Sequence, residues 1–113
     1  MPTYLDQICA QKRQEVTQVG SETDLSALYA KLEKCTTDVV GALKNSNGIN
    51  IIAEHKRKSP SRGPIRPDSD AAEIARSYEQ NGAAAISVLT DKAFFDGSPN
   101  DLIAVKKAVQ IPV

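Results

Sequence analysis

The stretch with the least structural freedom runs from Ile51 to Gly63. Three apolar residues, Ile51, Ile52 and Ala53, give way abruptly to Glu54, His55, Lys56, Arg57 and Lys58, and then to Ser59, Pro60, Ser61, Arg62 and Gly63. The pattern reads as a buried strand that delivers an acid and a base to its C-terminal rim. Side chains two apart on a strand share a face, so Ile52, Glu54 and Lys56 point one way and Ile51, Ala53 and His55 the other. In parallel α/β proteins ligands bind beyond the carboxyl ends of the strands, which makes Glu54 and Lys56 the first candidates for chemistry. The same residues also allow a solvated basic turn in which the acid and the lysine are simply paired.

Beyond this strand the chain alternates strand, helix, strand, helix and the start of another strand. Asp70 predicts a helix start, with Glu73 three residues on completing a capping box. Ala71, Ile74, Ala75 and Tyr78 form the buried stripe, and Asn81 with Gly82 ends the helix. The near-continuous apolar run from Ala83 to Leu89 fits a strand covered on both faces. A second helix is expected from Ser98 as cap, Pro99 at its first position and Asp101 in its first turn, with Leu102, Val105 and Val109 facing inward. Strands separated by helices in this way make parallel βαβ units with right-handed crossovers.

The residues before Ile49 read as helical. Leu5, Ile8, Cys9, Lys12 and Val16 recur at intervals of three and four, with Gly20 available to end the segment. Asp24 opens a further helix whose stripe is Leu25, Leu28, Tyr29 and Leu32. Val39, Val40, Ala42 and Leu43 make a shorter stripe before a turn at Asn45, Ser46, Asn47 and Gly48. These helices are amphipathic and have an apolar side to cover.

Composition narrows the classes of function. With 41% apolar residues, 25% charged residues and a formal charge of zero, nothing general favours nucleic acid or membrane binding. No apolar run approaches a membrane span or a secretory leader, and a cytoplasmic location is expected. Cys9 and Cys35 fall in helical patterns at no metal-ligand spacing, with only His55 as an imidazole partner, so both read as reduced and structural and no metal is expected. The basic cluster Lys56, Arg57, Lys58 and Arg62 is short and lacks stacking aromatics, which argues against a nucleic-acid patch. Gly63 is followed by Pro64, which excludes a Walker loop. No Gly-x-Gly-x-x-Gly turn follows either strand, so no dinucleotide site is expected.

The arrangement Ala-Glu-x-Lys-x-x-Ser-Pro-Ser-x-Gly from Ala53 to Gly63 resembles the first strand and loop of indole-3-glycerol phosphate synthases. Asn81 to Thr90, followed by Phe95, Asp96, Gly97 and Ser98, resembles that family's second strand and loop at the expected distance along the chain. The resemblance implies an α/β, (β/α)8 TIM-barrel fold. Such barrels typically take about 250 residues, against 113 here, so the expectation is a fragment: an N-terminal helical extension over residues 1–48 and an incomplete barrel portion over 49–113. Two βα units cannot close a barrel. The inward face, including Ile52, Ile86 and Val88, is therefore expected to lack opposing layers, and the open sheet edges to associate with other strands.

The activity that the resemblance implies is a decarboxylating and dehydrating ring closure, from 1-(2-carboxyphenylamino)-1-deoxyribulose 5-phosphate to indole-3-glycerol phosphate in tryptophan biosynthesis, without a cofactor. Lys56 matches the family's first-strand lysine and would supply charge and a proton near the reacting carbonyl. Glu54 matches the partner that orients it. Ser59 matches a loop serine that contacts the anionic substrate, and Phe95 an aromatic residue that packs on the substrate's ring. On residue type alone Ser59 is also a turn former before Pro60, and Phe95 or Phe94 a hydrophobic plug. His55 departs from the family, where an apolar residue is usual; facing the helix layer, it is expected to be packed or partly exposed and not catalytic. The family's third-strand lysine and phosphate-binding loops would lie beyond Val113. The competing reading is a non-catalytic partial barrel that needs a complementing chain.

Overall fold

The computed structural model describes residues 1–44 and 48–113, so most of the expected turn at Asn45 to Gly48 lies outside the described residues. The chain divides into two compact units, Met1–Thr36 and Thr37–Val113.

In the first unit, α1 spans Tyr4–Glu22 and α2 spans Leu25–Lys31. Thr3 and Asp6 make a full capping box: the Asp6 amide donates to Thr3 Oγ1 at 3.2 Å and the Thr3 amide to Asp6 Oδ2 at 2.8 Å. The helix does not stop at Gly20 as expected. One glycine costs a helix only about 1 kcal/mol, and the turn around it is braced by Ser21 Oγ on the Gln18 carbonyl and by Gln18 on Glu22. Asp24 caps α2 as the sequence suggests, accepting from the amides of Ser26 and Ala27. Cys9 lies in α1, but Cys35 falls outside any helix and is exposed, against expectation.

The second unit contains α3 (Val39–Lys44), β1 (Ile52–His55), β2 (Lys58–Ser59), β3 (Gly63–Pro64), α4 (Ala71–Gln80), β4 (Ala85–Val88), α5 (Lys92–Phe95) and α6 (Pro99–Ala108). β1 and β4 pair in parallel, with Ile52 opposite Ala85, Ala53 opposite Ile86, Glu54 opposite Ser87 and His55 opposite Val88. Flanking bonds extend this ladder: the Ala84 amide donates to the Ile51 carbonyl at 2.9 Å and that of Leu89 to His55 at 3.4 Å. On the other edge of β4 the Ile86 amide donates to the Pro112 carbonyl at 2.8 Å. The segment leading there is set by Glu79 of α4, whose Oε1 accepts from the amides of Gln110 and Ile111 at 2.7 and 3.1 Å.

The core lies between this sheet and the pair α4 and α6. Ala71, Ala75, Ile86, Val105 and Val109 are buried, with Tyr78, Val88, Ala108, Ile111 and Val113 packed against them. The facing of the sheet and of α6 differs from expectation at two places. Ile86 and Val88 stand opposite Ala53 and His55, so they face the helices, and only Ile52 of the expected trio lies on the opposite side, with Glu54 and Ser87. Leu102 is 40% exposed. The inward side of α6 is instead Asp101 and Val105, one i+4 step apart on one side of the helix, continued by Val109 at its C-cap, with Asp101 facing the loop after β1.

Helix starts follow the sequence. Asp70 accepts from the Glu73 amide at 2.9 Å and Ser98 from the Asn100 amide at 3.1 Å, with Pro99 at the first position of α6. The return bond of the expected capping box at α4 is not made, since that cap consists of Asp70 on the Glu73 amide alone. Asn81 caps the end of α4 and Gly82 follows at φ +87°. Gly97 is required by proximity: a Cβ there would sit 1.9 Å from the Leu89 carbonyl oxygen.

Candidate active site

Side-chain parity on β1 places Glu54 and Lys56 together on the face away from α4 and α6. Lys56 Nζ lies 2.9 Å from Glu54 Oε1, with the two side chains 32% and 44% exposed. The parallel register adds Ser87 from the neighbouring strand, whose Oγ donates to Glu54 Oε2 at 3.3 Å. Both carboxylate oxygens are thus engaged, which limits rotation of Glu54 and presents Lys56 from a fixed direction. The backbone beneath is held from the helix side, where Tyr78 Oη donates to the Glu54 carbonyl at 3.1 Å.

Phe95 reaches the same place from the loop after β4. Asp91 caps the short helix α5 by accepting from the Phe94 amide at 2.7 Å, and Asp96 closes it in the left-handed conformation at φ 53°. This turn sets the Phe95 ring 5.7 Å from Lys56 Nζ, within the range of a cation–π contact. The structure therefore brings Glu54, Lys56 and Phe95 together. Ser59 is placed differently: it is buried, in a hairpin formed by β2 and β3, where its Oγ accepts from the Arg62 amide at 3.2 Å and lies 3.4 Å from Ser61 Oγ. Its hydroxyl shapes the loop tip.

Three features of the site had no clear sequence signal. The hairpin uses strands of two residues each, too short for any periodicity. Ser87 becomes visible only once the register of β1 against β4 is known. Arg57, one residue past Lys56 and of opposite parity, turns toward the helices and forms a bidentate pair with Asp101 at 2.5 and 2.8 Å, while also donating to the carbonyls of Ser69 and Asp96 at 3.1 and 3.4 Å. Lys58 Nζ adds a bond to the Ala93 carbonyl at 3.3 Å. The hydrogen bond from Arg57 holds the Asp101 carboxyl below its ordinary range, and the same bond raises Arg57. The loop that follows β1 is thereby fastened to the loop that follows β4.

Among the described residues there is no group of three or more His, Cys, Asp and Glu side chains placed to hold a metal ion, and no helix is long and apolar enough to cross a membrane.

A parallel βα repeat with an acid, a base and an aromatic ring converging past the carboxyl ends of adjacent strands is the construction of α/β proteins that bind ligands at that end. Comparison narrows the class: the family model of indole-3-glycerol phosphate synthase matches residues 5–113, and this chain belongs to that family. Among its relatives is the indole-3-glycerol phosphate synthase of Pelodictyon phaeoclathratiforme, 45% identical over 115 residues that cover 98% of this chain and 44% of that protein. That of Dechloromonas aromatica is 42% identical over 118 residues, covering 100% and 45%. That of Mycolicibacterium gilvum is 45% identical over 113 residues, covering 98% and 41%. The chain spans less than half the length of these relatives.

Proposed function

We propose that this chain carries the first part of the active site of an indole-3-glycerol phosphate synthase. The reaction is the ring closure of 1-(2-carboxyphenylamino)-1-deoxyribulose 5-phosphate, with loss of carbon dioxide and water, in the cytoplasm. The observation that carries this reading is Lys56 Nζ held 2.9 Å from Glu54 and 5.7 Å from the Phe95 ring. An ammonium so held is suited to donate a proton to the carbonyl that becomes a hydroxyl and to stabilise developing negative charge. Glu54 orients it. Phe95 offers its ring to the substrate's aromatic ring, and Ser59, through the loop tip it shapes, directs amide groups toward the anionic end of the substrate.

In this reading residues 1–48 are an N-terminal extension and residues 49–113 the opening βα units of a (β/α)8 barrel. Ile52, 56% exposed beside Glu54 on the face away from the helices, is one of the side chains that the remaining strands would cover, and the free edge of β1 is where such a chain would add. The reading is tested by joining residues 1–113 to the remaining strands of the Dechloromonas aromatica relative and following indole fluorescence. Lys56→Ala is expected to lower turnover on the order of 10² to 10⁴. Lys56→Arg is expected to impair it as well, because a guanidinium is planar and does not release a proton. Near-normal turnover in both variants would overturn the assignment.

A further inference from the structure

His55 is the one residue of β1 whose side chain is fully enclosed, at 4% exposure. It sits on the helix side of the strand, directly behind the pair Glu54 and Lys56. Its Nε2 lies 2.9 Å from Ser69 Oγ. Ser69 Oγ itself donates to the Arg66 carbonyl at 2.8 Å, and a hydroxyl has one proton to give, so in this bond the imidazole is the donor. The neutral ring therefore carries its proton on Nε2, leaving Nδ1 as the nitrogen that would take up another.

Ser69 is where the long loop after β1 returns to the body of the unit, one residue before Asp70 caps α4. Its carbonyl accepts from Arg57 at 3.1 Å and its amide donates to Arg66 at 3.2 Å. The two sides of the loop stem meet at Arg57, whose carbonyl accepts from the amides of Ile65 and Arg66 at 2.7 and 3.1 Å. His55, Arg66 and Ser69 also line a cleft of about 280 Å³ beneath the loop. The only side-chain bond from the strand itself to this stem, among the described residues, is that of His55.

We propose that His55 is a positioning residue: by donating from Nε2 to Ser69 it ties the returning stem of the β1–α4 loop to the strand that presents Glu54 and Lys56, and so sets the loop tip at Ser59 for the anionic substrate. The inference rests on the function proposed above and adds to it a residue that contacts no substrate. It also makes the loop sensitive to acid. The charged groups facing the ring are Arg57 from the loop stem two residues past β1, Arg66 from the returning side of the loop, Asp70 from the cap of α4 and Asp101 from α6, while β4 contributes the neutral Val88. Burial, then Arg57, keeps the imidazole below its ordinary range of titration against the opposing pull of Asp101 and Asp70. A second proton on Nδ1 would place a cation in that enclosed space beside two arginines.

The test compares His55→Gln, which keeps an amide donor at similar reach and does not titrate, with His55→Leu and Ser69→Ala. Amide exchange in this chain reads the stem, and kinetics in the joined full-length barrel read the consequence. Exchange at Ile65, Arg66 and Ser69, corrected for intrinsic rate, is expected to quicken in the Leu and Ala variants and to stay at the wild-type level in Gln. In the barrel, His55→Leu and Ser69→Ala are expected to raise KM about 2- to 10-fold, the worth of one hydrogen bond, with kcat little changed. In the wild type a second proton on Nδ1 leaves the Nε2 bond in place but sets a cation against Arg57 and Arg66, so KM is expected to rise on the acid side of the ordinary imidazole range, and in His55→Gln it should not. Unchanged exchange in His55→Leu, or a Gln variant that behaves like Leu, would overturn the proposal. If the joined barrel were inactive from the outset, the reaction assignment would fail and the exchange comparison would still decide whether His55 positions the loop.

Discussion

Glu54 is held from two strands, by Lys56 on its own and Ser87 on the next. Its charge, more than its shape, gives those contacts their strength. Glu54→Gln in a complete barrel is therefore expected to lower turnover while leaving the melting temperature nearly unchanged, because the side chain is 44% exposed and exposed ion pairs add little stability. A variant that melts early with normal turnover would make Glu54 a structural residue. Asp101 stands in the opposite situation, 15% exposed against an Arg57 that is 16% exposed. Removing its charge with Asp101→Asn leaves a largely enclosed guanidinium without its paired carboxylate, with Asp96 and Asp70 acting on it only at longer range, and is expected to cost on the order of 2–3 kcal/mol in a denaturant titration. The pH dependence has a definite sign. Asp101 titrates lower in the folded chain than in the unfolded one, so its contribution is present above the ordinary carboxylate value and is lost as pH falls through the folded value. His55 also titrates lower when folded; the unfolded chain takes up its proton first, and stability declines as pH drops below about 6.5 and levels off once the folded ring is protonated. Melts across pH should show two acid-side declines, the upper one absent in His55→Gln and the lower one reduced in Asp101→Asn.

Helices and strands show how far local pattern reaches. Asp24, Asp70 and Ser98 were legible as caps because a cap is a bond between a side chain and an amide two or three residues away, and the structure makes each of them. The pairing of Glu54 with Lys56 was legible for the same reason, since parity along one strand is local. Parity does not pass from one strand to the next without the register, which is why Ile86 and Val88 were expected on the wrong face and Ser87 went unnoticed. The partnership of Arg57 with Asp101 joins residues in two separate elements, and no local periodicity encodes it. Asp70→Ala and Ser98→Ala are expected to cost roughly 0.5 to 2 kcal/mol each, with substrate affinity unaffected in a complete barrel; a raised KM without a lowered melting temperature would place either residue in the site. Gly97→Ala should be worse than either cap, on the order of 2–3 kcal/mol, since the added carbon would meet the Leu89 carbonyl and displace the turn that carries Phe95.

Over the whole molecule, the described contacts leave the face bearing Ile52, Glu54 and Lys56 partly open, while the opposite face of the same sheet is packed on α4 and α6. In the proposed reading, residues 1–113 by themselves are expected to show no ring closure and to self-associate. Activity should appear on mixing with a fragment that carries the remaining strands of a relative, and light scattering with indole fluorescence would follow both. An active monomer without the complement would refute the incomplete-barrel reading. The contact of Glu79 with the amides of Gln110 and Ile111, followed by the bond from Ile86 to Pro112, bears on how such a complement should be joined. One carboxylate acts there as a gauge: it fixes how far the backbone has advanced as it comes level with β4. Grafts that meet downstream of Pro112 inherit that alignment from α4, whereas a joint placed upstream of Gln110 must reproduce it, so recombination between relatives has a natural seam at this point.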